Sequence, residues 1–221
     1  MIKALNIEQA RILVVDDHQV NLKLVEQTLA SGGFEHCLVT QDPLSVEELL
    51  HQHSIDLVLL DINMPMLDGF GVLEIIRKFY HSTLQPPVIM VTAQDDADKR
   101  IKSLTLGASD YISKPFNREE LIKRISVHLE NWFMKKQLMA QNQVLDQKVK
   151  ERTQELEKAH LEVVFRLGRA AEYRDNETGN HVKRVSLYAE ALARKIGLDE
   201  QQCHLIKIAS PMHDIGKIGV S

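Results

Sequence analysis

Five polar residues at the ends of apolar runs have the chemistry of a phosphoryl-transfer site. Asp16 and Asp17 follow RILVV, Asp61 follows IDLVLL, Thr92 ends PVIMVT and Lys114 follows SDYIS. Three crowded carboxylates need a cation, and oxygen-only ligands favour Mg²⁺. A lysine and a hydroxyl suit an anion bound to that cation, and a carboxylate can attack phosphorus. A single aspartate after a strand is usually a turn or a cap, but five matching positions favour a site.

The elements that must position these residues alternate along the first half of the chain. Near-continuous apolar runs indicate strands of a parallel sheet buried on both faces. Helical patterns between them imply a doubly wound α/β domain, whose polar site lies at the carboxyl ends of the strands. The glycines at 32, 33 and 107 stand where helices should stop. The predicted strands are 11–15, 37–40, 55–60, 87–92 and 109–113, and the predicted helices are 19–31, 43–52, 69–80 and 95–106.

With these motifs, residues 11–125 resemble the receiver domain of response regulators, a five-stranded flavodoxin-like fold. The resemblance implies that Asp61 is the phosphoacceptor and that Mg²⁺ is bound. The implied magnesium ligands are Asp16, Asp17, Asp61 and the backbone carbonyl of Asn63. Further positions carried over are Thr92 and Lys114 as phosphoryl contacts, Tyr111 as the aromatic switch, and Pro115, whose preceding peptide bond is often cis in the family.

The resemblance also suggests how a charge at Asp61 reaches the rest of the chain. Phosphorylation would add negative charge and new acceptor oxygens there. Thr92 would move toward the phosphoryl group, and Tyr111 would fill the space left behind. The surface of helices 95–106 and 117–130 would then change, and the second of these runs into the next segment.

A long polar helix without proline is predicted from residue 117 onward. Positions stepping by four and three form a heptad seam interrupted by Asn142 and Arg152. Such a stripe favours a parallel dimeric coiled coil over an antiparallel hairpin in one chain. Earlier apolar positions at 121, 125 and 132 lie out of phase with the seam, which predicts a weak point between them. The seam positions are 138, 142, 145, 149, 152, 156, 159 and 163.

The last segment contains a second set of candidate metal ligands. His213 and Asp214 are adjacent, Lys217 lies one turn later, and Glu177 and His181 are four apart on one helical face. An adjacent His and Asp can offer nitrogen and oxygen to one metal or bridge two. The alternative for each histidine alone is an ordinary core residue.

The strings RDNETGNHVKRV and ASPMHDIGKIG together resemble the start of an HD-GYP domain in the HD phosphohydrolase superfamily. Those enzymes hydrolyse cyclic di-GMP with two or three iron or manganese ions. The resemblance implies that Glu177, His181, His213 and Asp214 are metal ligands and that Lys217 contacts substrate phosphate. The GYP segment is not in the sequence, so we expect an output domain cut short. Its helices should pack abnormally after about residue 175, and the chain as given should be inactive as a phosphodiesterase.

Composition narrows the partners and the compartment. The net charge of −4 lacks the basic excess of a DNA-binding surface. Cys37 and Cys203 stand far apart, which fits a reducing compartment. No signal peptide is evident and no apolar stretch approaches ~20 residues, so we expect a cytoplasmic protein without a membrane span.

The sequence thus predicts a response regulator phosphorylated by a sensor histidine kinase or a phosphotransfer protein. The receiver would occupy residues 1–127, a homodimerising coiled-coil linker 128–172 and an all-α HD fragment 173–221. Cyclic di-GMP would be the substrate of the full-length enzyme. The alternative is a non-enzymatic signalling module whose C-terminal helices bind a partner.

Overall fold

A computed structural model describes residues 7–80, 84–93, 97–172 and 180–216. The chain divides into two compact units, residues 1–141 and 142–221. The first contains a five-stranded, all-parallel sheet in the order β2-β1-β3-β4-β5. The strands are β1 (Arg11–Val15), β2 (His36–Thr40), β3 (Leu57–Asp61), β4 (Val88–Ala93) and β5 (Asp110–Lys114).

Helices connect these strands as the sequence predicts. They are α1 (Gln19–Ser31), α2 (Val46–Gln52), α3 (Gly69–Phe79) and α4 (Ala97–Thr105), and α5 (Arg118–Glu172) follows β5. Gly33 and Gly107 end α1 and α4 with φ of 88° and 95°, a left-handed conformation that favours glycine. The doubly wound α/β prediction is therefore confirmed, with strand ends displaced by one or two residues.

Two apolar layers cover the sheet. On one face the buried cluster joins Leu13, Val58 and Met90 to residues of α2 and α3. On the other, Ile12, Leu59 and Ile89 pack with α1 and the first turns of α5. All five residues of β3 are buried, which places this strand at the centre of both layers.

Helix α5 is a single helix of 55 residues whose environment changes along its length. Leu121, Ile125 and Leu129 are fully buried and Trp132 is nearly so. From 134 to 160 every residue is exposed in the single chain. The unbroken run confirms the predicted long helix, and the described residues show no turn that would fold it into a hairpin.

The second unit contains the end of α5 and two shorter helices, α6 (His181–Lys195) and α7 (Glu200–Ala209). Ser186 Oγ donates to the Lys207 carbonyl at 2.7 Å, and Lys207 pairs with Glu190 at 2.7 Å. α6 is a helix of its own, and within this unit Val182, Ala193 and Cys203 of α6 and α7 are buried. The expected abnormal packing after about residue 175, by extension of the long helix or by pairing with a partner chain, stays a prediction, because residues 173–179 lie outside the described residues.

Candidate functional site

Three strands deliver charged side chains to one point at the carboxyl edge of the sheet. Asp16 follows β1, Asp61 ends β3 and Lys114 ends β5. Lys114 Nζ lies 2.8 Å from Asp16 Oδ2 and also donates to Asp61 Oδ1. The side chains of both aspartates are 7% exposed, whereas the Lys114 side chain is 30% exposed. The structure thus brings together residues 98 and 53 positions apart in sequence, as the strand-end pattern predicts.

The Asp61 carboxylate and backbone are held by the loop and helix that follow β3. Its Oδ2 accepts the Asn63 amide at 2.8 Å. The Gly69 amide, at the start of α3, donates to the Ile62 carbonyl at 3.0 Å. A Cβ on Gly69 would lie 2.3 Å from the Asp61 carbonyl oxygen, so only glycine lets α3 begin so close to the site.

Two residues that the sequence analysis did not single out orient Asp16. Asn21 Nδ2 donates to both Asp16 oxygens, at 2.9 and 3.0 Å, and the His18 amide donates to Oδ1 at 2.9 Å. His18 Nδ1 in turn lies 2.7 Å from Asp17 Oδ1. The available signal was their position in the first turn after the strand, at the same edge of the sheet.

Burial and neighbouring charge set the protonation of this site. Burial raises the pKa of Asp61, and although Lys114 and the Asn63 amide lower it, the balance stays above the ordinary carboxyl value. For Lys114, burial lowers the pKa, but the hydrogen bonds and charges of Asp16 and Asp61 outweigh burial and raise it. The ammonium group is therefore the stable form beside the two carboxylates.

The site can accommodate a cation and a small anionic group. Asp16, Asp17 and His18 could each offer one ligand atom, and these atoms lie within 4.8 Å of one another. With three carboxylates and one lysine, the cluster has excess negative charge, and oxygen ligands of this kind fit a hard divalent ion. A cavity of about 400 Å³ reaches Asp61 beside α1 and the β5–α5 loop, so a small molecule can approach the buried carboxylate.

The predicted switch residues lie on the neighbouring strands. Thr92 is fully buried near the end of β4 and pairs in register with Ser113. Tyr111, in β5, pairs with Met90 and packs partly buried against the α2 and α3 layer. The Lys114–Pro115 peptide bond is cis, as the sequence suggested.

In the second unit the structure brings part of the predicted metal set together. The rings of His181 and His213 have centroids 5.9 Å apart. His213 Nε2 lies 3.2 Å from Asp214 Oδ2, and its Nδ1 lies 2.9 Å from the Ser210 carbonyl oxygen. Glu177 and Lys217, which complete the predicted set, lie outside the described residues.

Comparison with protein families agrees with both segments. The response regulator receiver domain model matches residues 12–126, and the HD domain model matches residues 178–221. Among the helices that the structure describes, none has the length and apolar character needed to cross a membrane.

Curated relatives match most of the chain. The chain is 35% identical over 97% of its length to a Vibrio cholerae protein named "Probable cyclic di-GMP phosphodiesterase", covering 50% of that protein. It is 32% identical over 81% of its length to the "Cyclic di-GMP phosphodiesterase response regulator RpfG" of Xanthomonas campestris, covering 47% of it. The chain thus spans about half the length of the curated relatives it matches.

Solved structures support the fold of the first unit. A Francisella response regulator 1452 receiver domain matches 56% of this chain and 98% of its own, with 29% identity and a TM-score of 0.51. A CheY-like receiver protein from Methanospirillum hungatei matches 57% of this chain and 98% of its own, with 28% identity and a TM-score of 0.52.

Proposed function

The chain belongs to the response regulator receiver family, and from that premise we propose that Asp61 is its phosphoacceptor. One observation carries the proposal: Lys114 bonds to both Asp61 and Asp16 across three strands, at the mouth of a cavity. A protonated lysine placed there can neutralise an incoming phosphoryl group. A receiver obtains that group from a kinase or a phosphotransfer protein.

In the proposed reaction an Asp61 carboxylate oxygen attacks phosphorus and forms an acyl phosphate. The bond between phosphorus and the donor atom breaks, and the donor leaves with the electron pair. Lys114 then pairs with phosphoryl oxygens, and its position between Asp16 and Asp61 allows this without a change of strand geometry. Thr92, buried on the next strand, would offer its hydroxyl to the same oxygens and so vacate space beside Tyr111.

Asp16, Asp17, Asp61 and the Asn63 carbonyl are the groups we assign to a divalent cation, with Mg²⁺ favoured by the oxygen ligands. When bound, the cation would neutralise charge that develops on the phosphoryl oxygens. The chain's own contribution is orientation, because Asn21 and the His18 amide donate hydrogen bonds that hold the Asp16 carboxylate in place.

Intact-mass measurement after incubation with phosphoramidate and Mg²⁺ tests this assignment. We expect one phosphoryl group on the wild-type chain and none on Asp61→Asn. Asp42→Asn is the matched control, because Asp42 also follows a strand but only caps a short turn. Full labelling of Asp61→Asn would refute the phosphoacceptor role, and labelling that is unaffected by EDTA would refute the cation.

We further propose that the exposed part of α5 pairs with a second copy of the chain as a parallel coiled coil. The seam residues Leu145, Val149 and Leu156 are each more than half exposed in the single chain. A stripe of this kind is buried when two helices associate. We expect Leu145→Lys to shift sedimentation equilibrium toward monomer, whereas Val144→Lys, equally exposed but off the seam, should not. Equal effects would refute the seam.

For the full-length protein we infer a metal-dependent cyclic di-GMP phosphodiesterase output. The support is the HD match, the relatives' names and the proximity of His181, His213 and Asp214. Iron or manganese is the proposed metal. In that protein, His213→Ala should lose metal on dialysis and His204→Ala, an exposed histidine on α7, should not. Retention of metal by His213→Ala would favour the alternative of a non-enzymatic module.

A further inference from the structure

A buried acid at the amino ends of the strands, opposite the end that carries Asp61, holds α5. Asp56 is 9% exposed and immediately precedes β3. Its Oδ1 accepts from Trp132 Nε1 at 3.1 Å and from Lys136 Nζ at 3.2 Å. Its Oδ2 accepts the Arg11 amide at 3.1 Å. One carboxylate therefore ties α5 to the bases of β1 and β3.

These contacts lie where α5 passes from buried to exposed residues. Trp132 is 6% exposed, and after partly buried Phe133 the helix is exposed from residue 134 onward. Lys136 Nζ also lies 5.5 Å from the Trp132 ring centroid, so the ammonium group covers the indole as well as the acid. Residues 137–141, the rest of α5 in the first unit, are all exposed.

Asp56 and Asp61 flank the buried residues of β3. Asp61 lies five positions after Asp56, about 16 Å away at the usual strand rise. α5 runs beside that strand in the same unit, from the loop after Lys114 to Trp132, about 21 Å along the helix axis. The helix thus has one end near the phosphoacceptor and one attachment at the base of the strand that carries it.

We propose that Asp56 is a positioning residue that acts as the pivot of α5. A displacement at the Lys114 end, with Trp132 held at Asp56, becomes a change in direction of the helix beyond Trp132. Without the contacts to Asp56, the same displacement lets the helix slide or loosen. The part of α5 beyond Trp132 then takes no defined new direction. This inference rests on the proposed phosphoacceptor role of Asp61.

The chemistry of the carboxylate makes Asp56→Asn a sharp perturbation. Both oxygens accept hydrogen bonds from donors. An asparagine offers one oxygen and one NH₂ group, so the NH₂ group would point at N–H groups that now donate to a carboxylate oxygen. The negative charge that holds Lys136 would also be lost. The volume of the side chain is unchanged, so packing around Trp132 is preserved.

The first measurement uses Trp132, the only tryptophan of the chain. In Asp56→Asn we expect acrylamide quenching of Trp132 fluorescence to increase. The fraction of molecules in which α5 has detached at Trp132 should rise about tenfold, equivalent to about 1.4 kcal/mol. Lys136→Met should show a smaller increase. Lys135→Met should show none, because Lys135 is an exposed neighbour and the donors to the Asp56 carboxylate are Trp132, Lys136 and the Arg11 amide. This comparison uses the unphosphorylated chain, so it stands even where the proposed function fails.

The second measurement follows the helix directly. Spin labels at Glu47→Cys and Ala140→Cys, both exposed and off the seam, report the distance between α2 and α5 in a Cys37→Ala, Cys203→Ala background. With Mg²⁺ and beryllofluoride, a phosphoryl mimic, we expect a shifted but narrow distance distribution in wild type. In Asp56→Asn the distribution should be broad and unshifted, with beryllofluoride binding within about twofold of wild type, since the site lies about 16 Å away.

The outcomes separate the two proposals. A wild-type chain that does not bind beryllofluoride refutes the proposed function. The quenching measurements then decide only whether Asp56 holds α5 at Trp132. Binding with no shift in wild type, or a full shift in Asp56→Asn, refutes the pivot. If Asp56→Asn does not fold, Lys136→Met against Lys135→Met gives the decision. Identical behaviour of these two lysine variants in both measurements would overturn the inference.

Discussion

Gly69→Ala is the most direct test of how tightly the phosphoacceptor strand is packed. The added Cβ would lie 2.3 Å from the Asp61 carbonyl oxygen and 2.9 Å from Ile62 Cα. Both are backbone atoms of the site, so α3 or the end of β3 must move by roughly 1 Å to reach a normal contact distance. Such overpacking costs about 1–3 kcal/mol.

Gly71→Ala supplies the matched control within the same helical turn. Its Cβ would lie 2.4 Å from Leu67 Cδ1, the far end of a side chain that can rotate away. Both variants gain up to about 1 kcal/mol from the helix preference of alanine over glycine. We therefore expect Gly71→Ala to be neutral or slightly stabilising and Gly69→Ala to lose about 1–2 kcal/mol.

Urea unfolding followed by Trp132 emission measures this difference, because Trp132 lies in the receiver unit. With a slope of about 1–3 kcal/mol/M, the midpoint of Gly69→Ala should fall by roughly 1 M. Phosphoramidate labelling should slow as well, since the Asp61 backbone is displaced. Equal midpoints for Gly69→Ala and Gly71→Ala would show that α3 does not press on Asp61, and the reasoning would be wrong.

Three further predictions follow from backbone strain and charge. Met66 has φ of 69°, a left-handed conformation that strains a side chain but not glycine, and it is 87% exposed. Met66→Gly should therefore raise the urea midpoint by the equivalent of about 1 kcal/mol. A lower midpoint would show that the Met66 backbone is not strained. Burial raises the folded-state pKa of Asp61, so its ionised form opposes folding, and Asp61→Asn should be more stable than wild type at neutral pH. In urea midpoints measured against pH, this gain should shrink as pH falls through that pKa and vanish below the unfolded carboxyl pKa. Burial opposes ionisation of Asp110, but hydrogen bonds from Arg124, the Tyr111 amide and His128 outweigh burial and lower its pKa. Asp110→Asn should therefore lose stability above the unfolded carboxyl pKa and lose little in acid. Urea midpoints measured against pH test this difference.

The strand-end site was predictable because it depends on a local regularity. Each of Asp16, Asp61 and Lys114 follows an apolar run, and parallel strands place their carboxyl ends at one edge. The strand boundaries were displaced, for example β3 ends at Asp61 rather than residue 60, because polar residues can continue the ladder. The domain boundaries at 127 and 172 stay predictions, as do the roles of the individual site residues.

The residues that sequence analysis missed depend on distant contacts. Asp56 read as one polar position inside an apolar run, yet its partners Trp132 and Lys136 are 76 and 80 residues away. Asn21 read as an ordinary polar position of α1, and its bonds to Asp16 follow from the side-chain geometry of a helix start. No periodicity of the sequence encodes such pairs, because they arise only when separate elements pack.

The unbroken geometry of α5 has a consequence for anyone who grafts a different output module onto this receiver. Every residue added to or removed from the stretch 134–160 rotates the attached module by about 100° and shifts it by 1.5 Å. Seven residues restore nearly the original heading, whereas two or five turn it by about 160° or 140°, to the opposite side. Working chimeras should therefore recur at splice lengths that differ by whole heptads, with silent fusions between them.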